Sequence, residues 1–273
     1  MLHQALSLLD AGPVAVLTGA GMSTDSGIPD YRGPGAVRTN PMLHDEFVGS
    51  ARNRQRYWAR SFRGWGLVQR AHPNAGHRAL AGLNHRLTGV ITQNVDSLHE
   101  RAGSDPVHAL HGRLSDVICL TCGAVTSRQD LQDQLQALNP DVAPRGHDDP
   151  TGAFAPRGRA RPDGDMEVAG WEDFQVPDCP CGGILKPDVV FFGGMVARDR
   201  AEHCRDLVSE AETLLVLGSS LQVMSGLRFV RQSAKEGRPV VIVNRGTTRG
   251  DDLATVHLSM GTSEFCQMWA QSG

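Results

Sequence analysis

Four short apolar runs behave alike in this chain, and that behaviour limits the folds open to it. Val14-Ala15-Val16-Leu17 ends in Gly19-Ala20-Gly21, and Val90-Ile91-Thr92 ends in Gln93-Asn94-Val95-Asp96. Leu214-Leu215-Val216-Leu217 ends in Gly218-Ser219-Ser220, and Val240-Val241-Ile242-Val243 ends in Asn244-Arg245-Gly246. Continuous Val/Ile/Leu runs separated by helical stretches predict a parallel sheet buried on both faces. Ligands of such sheets bind beyond the carboxyl ends of the strands, which is where this chain repeatedly places small or polar residues.

The first of those ends is the richest. Residues 18–32 read Thr18-Gly19-Ala20-Gly21-Met22-Ser23-Thr24-Asp25-Ser26-Gly27-Ile28-Pro29-Asp30-Tyr31-Arg32. A strand that breaks into Gly-x-Gly presents backbone N–H groups without obstructing side chains, which suits a diphosphate. The run departs from the dinucleotide fingerprint of dehydrogenases. Thr24 stands at the sixth position in place of Gly, and no acid-tipped second strand follows about twenty residues later. A phosphate cradle joined to a polar loop suggests a nucleotide consumed by the reaction rather than one that cycles hydride.

Bulk properties narrow the classes. Hydrophobic residues make up 40% and charged residues 21% of 273, with a net charge of −3, as in a soluble globular protein with no polyanionic partner. Arg52, Arg54, Arg56, Arg60 and Arg63 cluster beside Tyr57, Trp58 and Trp65, a pattern that a packed or solvated helix explains better than nucleic acid. No apolar run approaches the ~20 residues that span a bilayer. Leu2, Leu6 and Leu9 fit one helical face closed by Gly12 and Pro13, with no basic residue ahead of them as a signal peptide would have. Six cysteines in this length indicate a reducing compartment, so a cytoplasmic location is expected.

Four of the cysteines form two pairs, Cys119-Leu120-Thr121-Cys122 and Cys179-Pro180-Cys181, each followed by Gly. Two such turns aim four thiolates at one point and predict a tetrahedral structural zinc, with no open position for substrate. Zinc in small modules supplies ~10–16 kcal/mol of apparent binding energy, which a poorly packed insert needs to fold. Cys204 and Cys266 read as packing residues. Between the pairs, Ser127 caps an expected helix bearing Leu131, Leu135 and Leu138, and residues 141–170 read as a long loop. The fold class expected is α/β: a Rossmann-like parallel sheet domain over 1–111 and 186–273, with a helical flap at 34–73 and a zinc-binding module inserted at 112–185.

Together these residues resemble the sirtuin family. The resemblance is carried by the Gly19 to Ser23 and Gly27 to Arg32 stretches and by Thr92-Gln93-Asn94-Val95-Asp96. It continues through His111-Gly112, the cysteine pairs, Lys186-Pro187-Asp188-Val189-Val190-Phe191-Phe192-Gly193, Gly218-Ser219-Ser220-Leu221 and Val243-Asn244. It runs in order from about Leu17 to Thr262. Arg54-Gln55-Arg56-Tyr57-Trp58-Ala59-Arg60 resembles the class II branch that includes a mitochondrial member. The resemblance implies NAD-dependent removal of acyl groups from protein lysine, with acylated-lysine proteins as partners, NAD as co-substrate and Zn2+ as structural ion. Nicotinamide and O-acyl-ADP-ribose would be the products.

It also implies roles. Gly19, Ala20 and Gly21 approach the diphosphate, while Ser219, Ser220 and Asn244 hold phosphate or ribose hydroxyls. Ile28 and Asp96 contact the nicotinamide carboxamide, and Asn94 orders water or ribose. Ser23, Thr24, Asp30, Tyr31, Arg32, Gln93, Val95, Gly218, Arg245, Gly246 and Thr262 complete the implied NAD set, while Val190 and Phe192 wall an acyl-lysine tunnel. His111 is the base, since an imidazole near its ordinary pKa of about 6.5 suits proton transfer at neutrality. Asp96 could instead cap the following helix, and Asp30 could pair with Arg32. Gly194 stands where many relatives carry an acid, and Val37-Arg38-Thr39-Asn40 lacks the Tyr-x-x-Arg of relatives that remove acidic acyl groups, so a neutral acyl group is expected. Mono-ADP-ribosyl transfer to protein is the enzymatic alternative, and an NAD-sensing binding module the non-enzymatic one.

Overall fold

Side chains alternate across a strand, so a sheet covered on both faces needs apolar residues at every position. The computed structural model, which describes residues 1–32, 41–142 and 170–272, meets that condition. Its strands are β1 (Val14–Thr18), β2 (Leu87–Thr92), β3 (Val107–Ala109), β4 (Gly112–Cys119), β5 (Val125–Ser127), β6 (Leu185–Val189), β7 (Thr213–Leu217), β8 (Val240–Val243) and β9 (Val256–Leu258). Its helices are α1 (Leu2–Asp10), α2 (His44–Gly49), α3 (Ala51–Arg70), α4 (Ala75–Gly82), α5 (Leu98–Ala102), α6 (Arg128–Leu138), α7 (Arg198–Glu210), α8 (Met224–Lys235) and α9 (Thr262–Ser272).

The chain divides into two compact units, one of Met1–Ala36, His72–His111 and Val196–Gly273, the other of Val37–Ala71 and Gly112–Met195. The first unit holds a parallel sheet in the order β3-β2-β1-β7-β8-β9. On one face Val14, Val16, Val90, Leu215, Leu217, Val241 and Val243 pack with Leu9 of α1, Leu80 of α4, and Phe265 and Trp269 of α9. On the other, Ala15, Leu17, Ile91, Leu214, Val216, Val240 and Ile242 pack with Cys204 and Val208 of α7 and Phe229 and Val230 of α8. Burying each large aliphatic chain contributes about 1.5–3 kcal/mol. The predicted runs therefore fill both faces of a doubly wound sheet, and Cys204 and Cys266 are packing residues within it. The strand order reverses between β1 and β7, which makes the carboxyl ends of those two strands the switch point where such sheets bind ligands.

The second unit is built on the antiparallel sheet β5-β4-β6. The sequence reading reopened the large domain at residue 186, but Leu185–Val189 pairs with β4, so the chain to Met195 groups with the cysteine-bearing unit. The arginine-rich segment is the 20-residue helix α3, with Ser50 as its N-cap; it packs Tyr57, Trp58 and Phe62 on Phe47, Val117, Leu131 and Leu135. Arg128 is buried between Trp58 and Trp65, its guanidinium 5.4 and 5.0 Å from the two rings. Ser127 caps α6 as expected, accepting from the Gln129 and Asp130 amides, but only Leu131 and Leu135 of the three leucines are buried; Leu138 is exposed. Flap residues 34–40, with Val37 to Asn40, and the loop at 143–169 lie outside the described residues.

Both cysteine pairs sit on tight turns in this unit. Gly123 (φ 72°) donates to the Cys119 carbonyl and Gly182 (φ 79°) to that of Cys179, backbone conformations that glycine adopts without strain. All four sulfurs lie within 4.8 Å of one another, with Cys119 to Cys181 at 3.5 Å and Cys122 to Cys179 at 3.8 Å. A tetrahedron of Zn–S bonds of about 2.3 Å has edges of about 3.8 Å, so the four residues fit zinc as all-thiolate ligands.

Beneath β1 and β2, His77 and His99 are both buried, with ring centroids 4.6 Å apart. His77 Nδ1 accepts from the Asn74 amide at the start of α4 (3.3 Å). The Thr18 hydroxyl donates to Thr92 (2.9 Å) and so accepts from His99 Nε2 (3.0 Å). Each ring is thereby assigned a neutral tautomer. Burial brings His77 down to about 4, with Arg78 adding to the effect and Asp25 opposing it, and burial also holds His99 well below the usual range.

Two predictions follow from these buried groups. A folded-state imidazole pKa below the unfolded value gives stability that is complete above about 6.5 and lost as pH falls towards the folded value. Between pH 7.5 and pH 5 the unfolding free energy from urea titration should fall by about 2 kcal/mol from His77 alone, and His77→Gln should flatten the slope. An equal stability at the two pH values would contradict the neutral assignment. Separately, Cys119→Ser should lose zinc by metal analysis and melt well below the parent, and retention of both metal and stability would remove the structural-zinc reading.

Candidate functional site

The carboxyl ends of β1 and β7 touch through their backbones. The Gly19 amide donates to the Leu217 carbonyl and the Gly21 amide to that of Gly218, each at 2.9 Å. A Cβ on Gly19 would lie 2.8 Å from both the Gly218 carbonyl oxygen and Ser219 Cβ. One on Gly218, whose φ is +61°, would lie 2.5 Å from the Met22 nitrogen. These glycines are therefore required by the junction of the two loops, a role the sequence reading gave wholly to the diphosphate. Their amides are thereby engaged by the protein itself, and what the missing side chains leave for a diphosphate is room for close approach to the rim.

Side chains from the end of β2 brace the junction. Gln93 Nε2 donates to the Thr18 carbonyl (3.2 Å) and to Ser219 Oγ (2.8 Å). Asn94 Nδ2 donates to the Gly19 carbonyl and to Ser23 Oγ, both at 3.0 Å, so the amide nitrogen expected to order water or ribose already holds the β1 loop. The Ser23 hydroxyl then donates to Asp96 Oδ2 at 2.7 Å, and Asp96 Oδ1 accepts from the Leu98 amide at 2.9 Å. Asp96 thus holds the first amide of α5, whose N-cap is Ser97, while also facing the β1 loop. Burial pushes its carboxyl above the usual carboxylate range, against the lowering effect of the Leu98 and Ser23 bonds.

The other sequence-predicted residues fall along the same rim or just off it. Thr24 and Thr262 both direct their hydroxyls at the Gly21 carbonyl, at 3.0 and 3.4 Å, and Thr262 is buried. Ala20, Ile28, Asp30, Tyr31, Val95 and Ser220 are half-buried, and Arg32 is exposed. At the end of β8, Asn244 Nδ2 donates to the Arg245 and Gly246 carbonyls and holds its own turn. Val190 and Phe192 lie in the second unit, just past the end of β6, where Phe192 is 37% exposed and its carbonyl accepts from the His44 amide.

His111 follows β3 in the first unit. Its Nδ1 lies 2.9 Å from the Gln93 carbonyl oxygen and its Nε2 lies 2.8 Å from Ser225 Oγ. A carbonyl only accepts, so Nδ1 carries the proton and Nε2 keeps its lone pair. The sequence reading placed this imidazole near 6.5; burial lowers it, with Arg200 adding to the effect and the Gln93 carbonyl partly opposing it. The ring is a neutral base at neutral pH. His108, three residues earlier, stacks on His203 with ring centroids 6.3 Å apart. Ser225 was missed because a serine in an Ser-Gly pair opening an amphipathic helix carries no pattern of its own.

A model of the Sir2 family matches residues 19–225, which include the junction loops, His111 and all four zinc-site cysteines. The chain is 52% identical over 259 residues to NAD-dependent protein deacetylase 1 of Streptomyces coelicolor, covering 92% of this chain and 83% of that one. It is 46% identical over 260 residues to the mitochondrial NAD-dependent protein lipoamidase sirtuin-4 of Bos taurus, covering 92% and 79%. Its fold matches that of Sir2Tm bound to a propionylated peptide with a TM-score of 0.75 and 30% identity, across 100% of this chain and 98% of the other. The chain belongs to the Sir2 family.

Proposed function

We propose that this protein is an NAD-dependent protein-lysine deacylase acting on neutral acyl groups. The observation that carries the reading is His111, a half-buried imidazole held neutral, with its lone pair on Nε2, in the same unit as a glycine-lined switch point. Bound NAD would supply a ribosyl carbon to the acyl oxygen of the lysine amide as nicotinamide departs; attack of a ribose hydroxyl on the acyl carbon, release of the lysine amine and addition of water would then give O-acyl-ADP-ribose beside the deacylated lysine. This use of NAD agrees with the sequence reading of a consumed nucleotide.

The protein's residues divide the remaining work. Gly19, Ala20, Gly21 and Gly218 let the diphosphate approach without obstructing side chains, with Ser219 and Ser220 beside them. Asn244, Arg245 and Gly246 hold the distal ribose, and Ser23, Thr24 and Thr262 keep the β1 loop in shape. Ile28 and Asp96 face the nicotinamide carboxamide. Asp30, Tyr31 and Arg32 close over the nicotinamide side, while Gln93, Asn94 and Val95 fix the floor. His111 takes a proton from a ribose hydroxyl through Nε2. Val190 and Phe192 contact the acyl-lysine chain.

The sequence also supports class II, since Arg54 to Arg60 follows that branch and a relative of high identity is a mitochondrial sirtuin-4. No helix among the described residues is long and apolar enough to cross a membrane, and we place the protein in the cytoplasm. Relatives named for deacetylation, deacylation and lipoamide removal favour acyl transfer over mono-ADP-ribosylation. The first unit serves as the NAD-binding domain, and the second, with its zinc, as the inserted module.

His111→Ala should lose at least ~10²-fold in turnover of acetyl-lysine peptide with its melting temperature retained, and unchanged turnover would remove His111 from the base role. Mass spectrometry should find O-acyl-ADP-ribose as the product; ADP-ribosylated protein in its place would favour the alternative reaction. Across an acyl series, acetyl, propionyl and lipoyl peptides should be processed at least about tenfold better than succinyl, because an unpaired carboxylate is costly to bury. A preference for succinyl would overturn the neutral-acyl assignment.

A further inference from the structure

Ser225 opens α8, yet it does not cap that helix: the N-cap is Val223, and no side chain there accepts from the first-turn amides. Its hydroxyl lies instead 2.8 Å from His111 Nε2. Because Nδ1 donates to the Gln93 carbonyl, a neutral ring can only accept at Nε2, so the Ser225 hydroxyl is the donor. The first turn of α8 is itself fixed on the Gln93 loop, since a Cβ on Gly226 would lie 2.6 Å from Gln93 Oε1. Gln93 and Ser225 therefore grip the imidazole from its two nitrogens, and Gln93 and the start of α8 also grip each other. Ser225 is buried, so water does not readily substitute for it.

We propose that Ser225 is a positioning residue for His111: its hydroxyl fixes the ring's rotation and covers the basic nitrogen until a ligand hydroxyl takes its place. The inference rests on the assignment of His111 as the base in the deacylase reading. A neutral imidazole has one available lone pair, and any hydroxyl it is to deprotonate must reach that same Nε2. Exchanging one hydroxyl donor for another leaves the ring where it was, so the waiting state already has the orientation the reaction needs. Donation to Nε2 also favours the uncharged ring, as does the positive end of α8. Among the described residues, the charged group acting on the ring is Arg200 of α7, which works in the same direction.

The test compares Ser225→Ala and Ser225→Thr with the parent, after metal content and melting temperature establish that each is folded. In Ser225→Ala the His111 ring, followed by NMR in the ligand-free protein, should titrate at higher pH. The acid limb of kcat/KM for acetyl-lysine peptide should move the same way, giving a loss of about 3- to 10-fold near pH 6 and a smaller loss near pH 8.5. Ser225→Thr retains the hydroxyl and should restore both. An unmoved titration in folded Ser225→Ala, or a folded Ser225→Thr that behaves like the alanine variant, would overturn the proposal. The titration does not depend on turnover. If it shifts while the acid limb stays, Ser225 positions the ring as argued, and it is the base role of His111 that falls.

Discussion

The close approach of two loop backbones at the switch between β1 and β7 is the constraint on which the rest of the first unit depends. Gly19 and Gly21 meet Gly218 so tightly that a methyl group on Gly19, Gly21 or Gly218 would sit 2.5–2.9 Å from opposing backbone. The approach brings Ser219 within reach of Gln93, and Gln93 in turn presents its carbonyl to His111. Loosening the glycine contact would therefore move the imidazole as well as the phosphate cradle, although His111 touches neither glycine. The loops at the ends of three strands act as one braced piece.

That bracing explains why several residues do structural work where a ligand role was expected. The Asn94 amide nitrogen is engaged by the Gly19 carbonyl and Ser23, Thr24 and Thr262 lie on the Gly21 carbonyl, and Asn244 holds its own turn. A site that must keep its groups within a fraction of an ångström needs neighbours whose only task is to hold them. Asp96 is engaged in the same way, with Oδ1 accepting from the Leu98 amide and Oδ2 from Ser23.

The large sheet was legible because its four central strands are unbroken apolar runs, and the zinc site because cysteine pairs have few other uses in a reducing compartment. The edge strands β3 and β9 were not, since each is three residues long with a histidine, His108 or His257, at its centre. The unit boundary was misplaced by about ten residues because Lys186-Pro187-Asp188 does not reveal whether its strand joins a parallel or an antiparallel sheet; the pairing with β4 is a long-range fact. The glycine junction was half legible. Gly-x-Gly announces backbone exposure, but that Gly218 is the surface it meets depends on which strand lies next to β1. Ser225 had no signal at all, because its partner is 114 residues away.

Burial acts on four titratable groups near this rim in one direction, towards neutrality. It lowers His77, His99 and His111 and raises Asp96. An uncharged His111 is left able to receive a proton. At a half-buried imidazole a single neutral donor such as the Ser225 hydroxyl weighs more than it would at an exposed surface, where water would take its place.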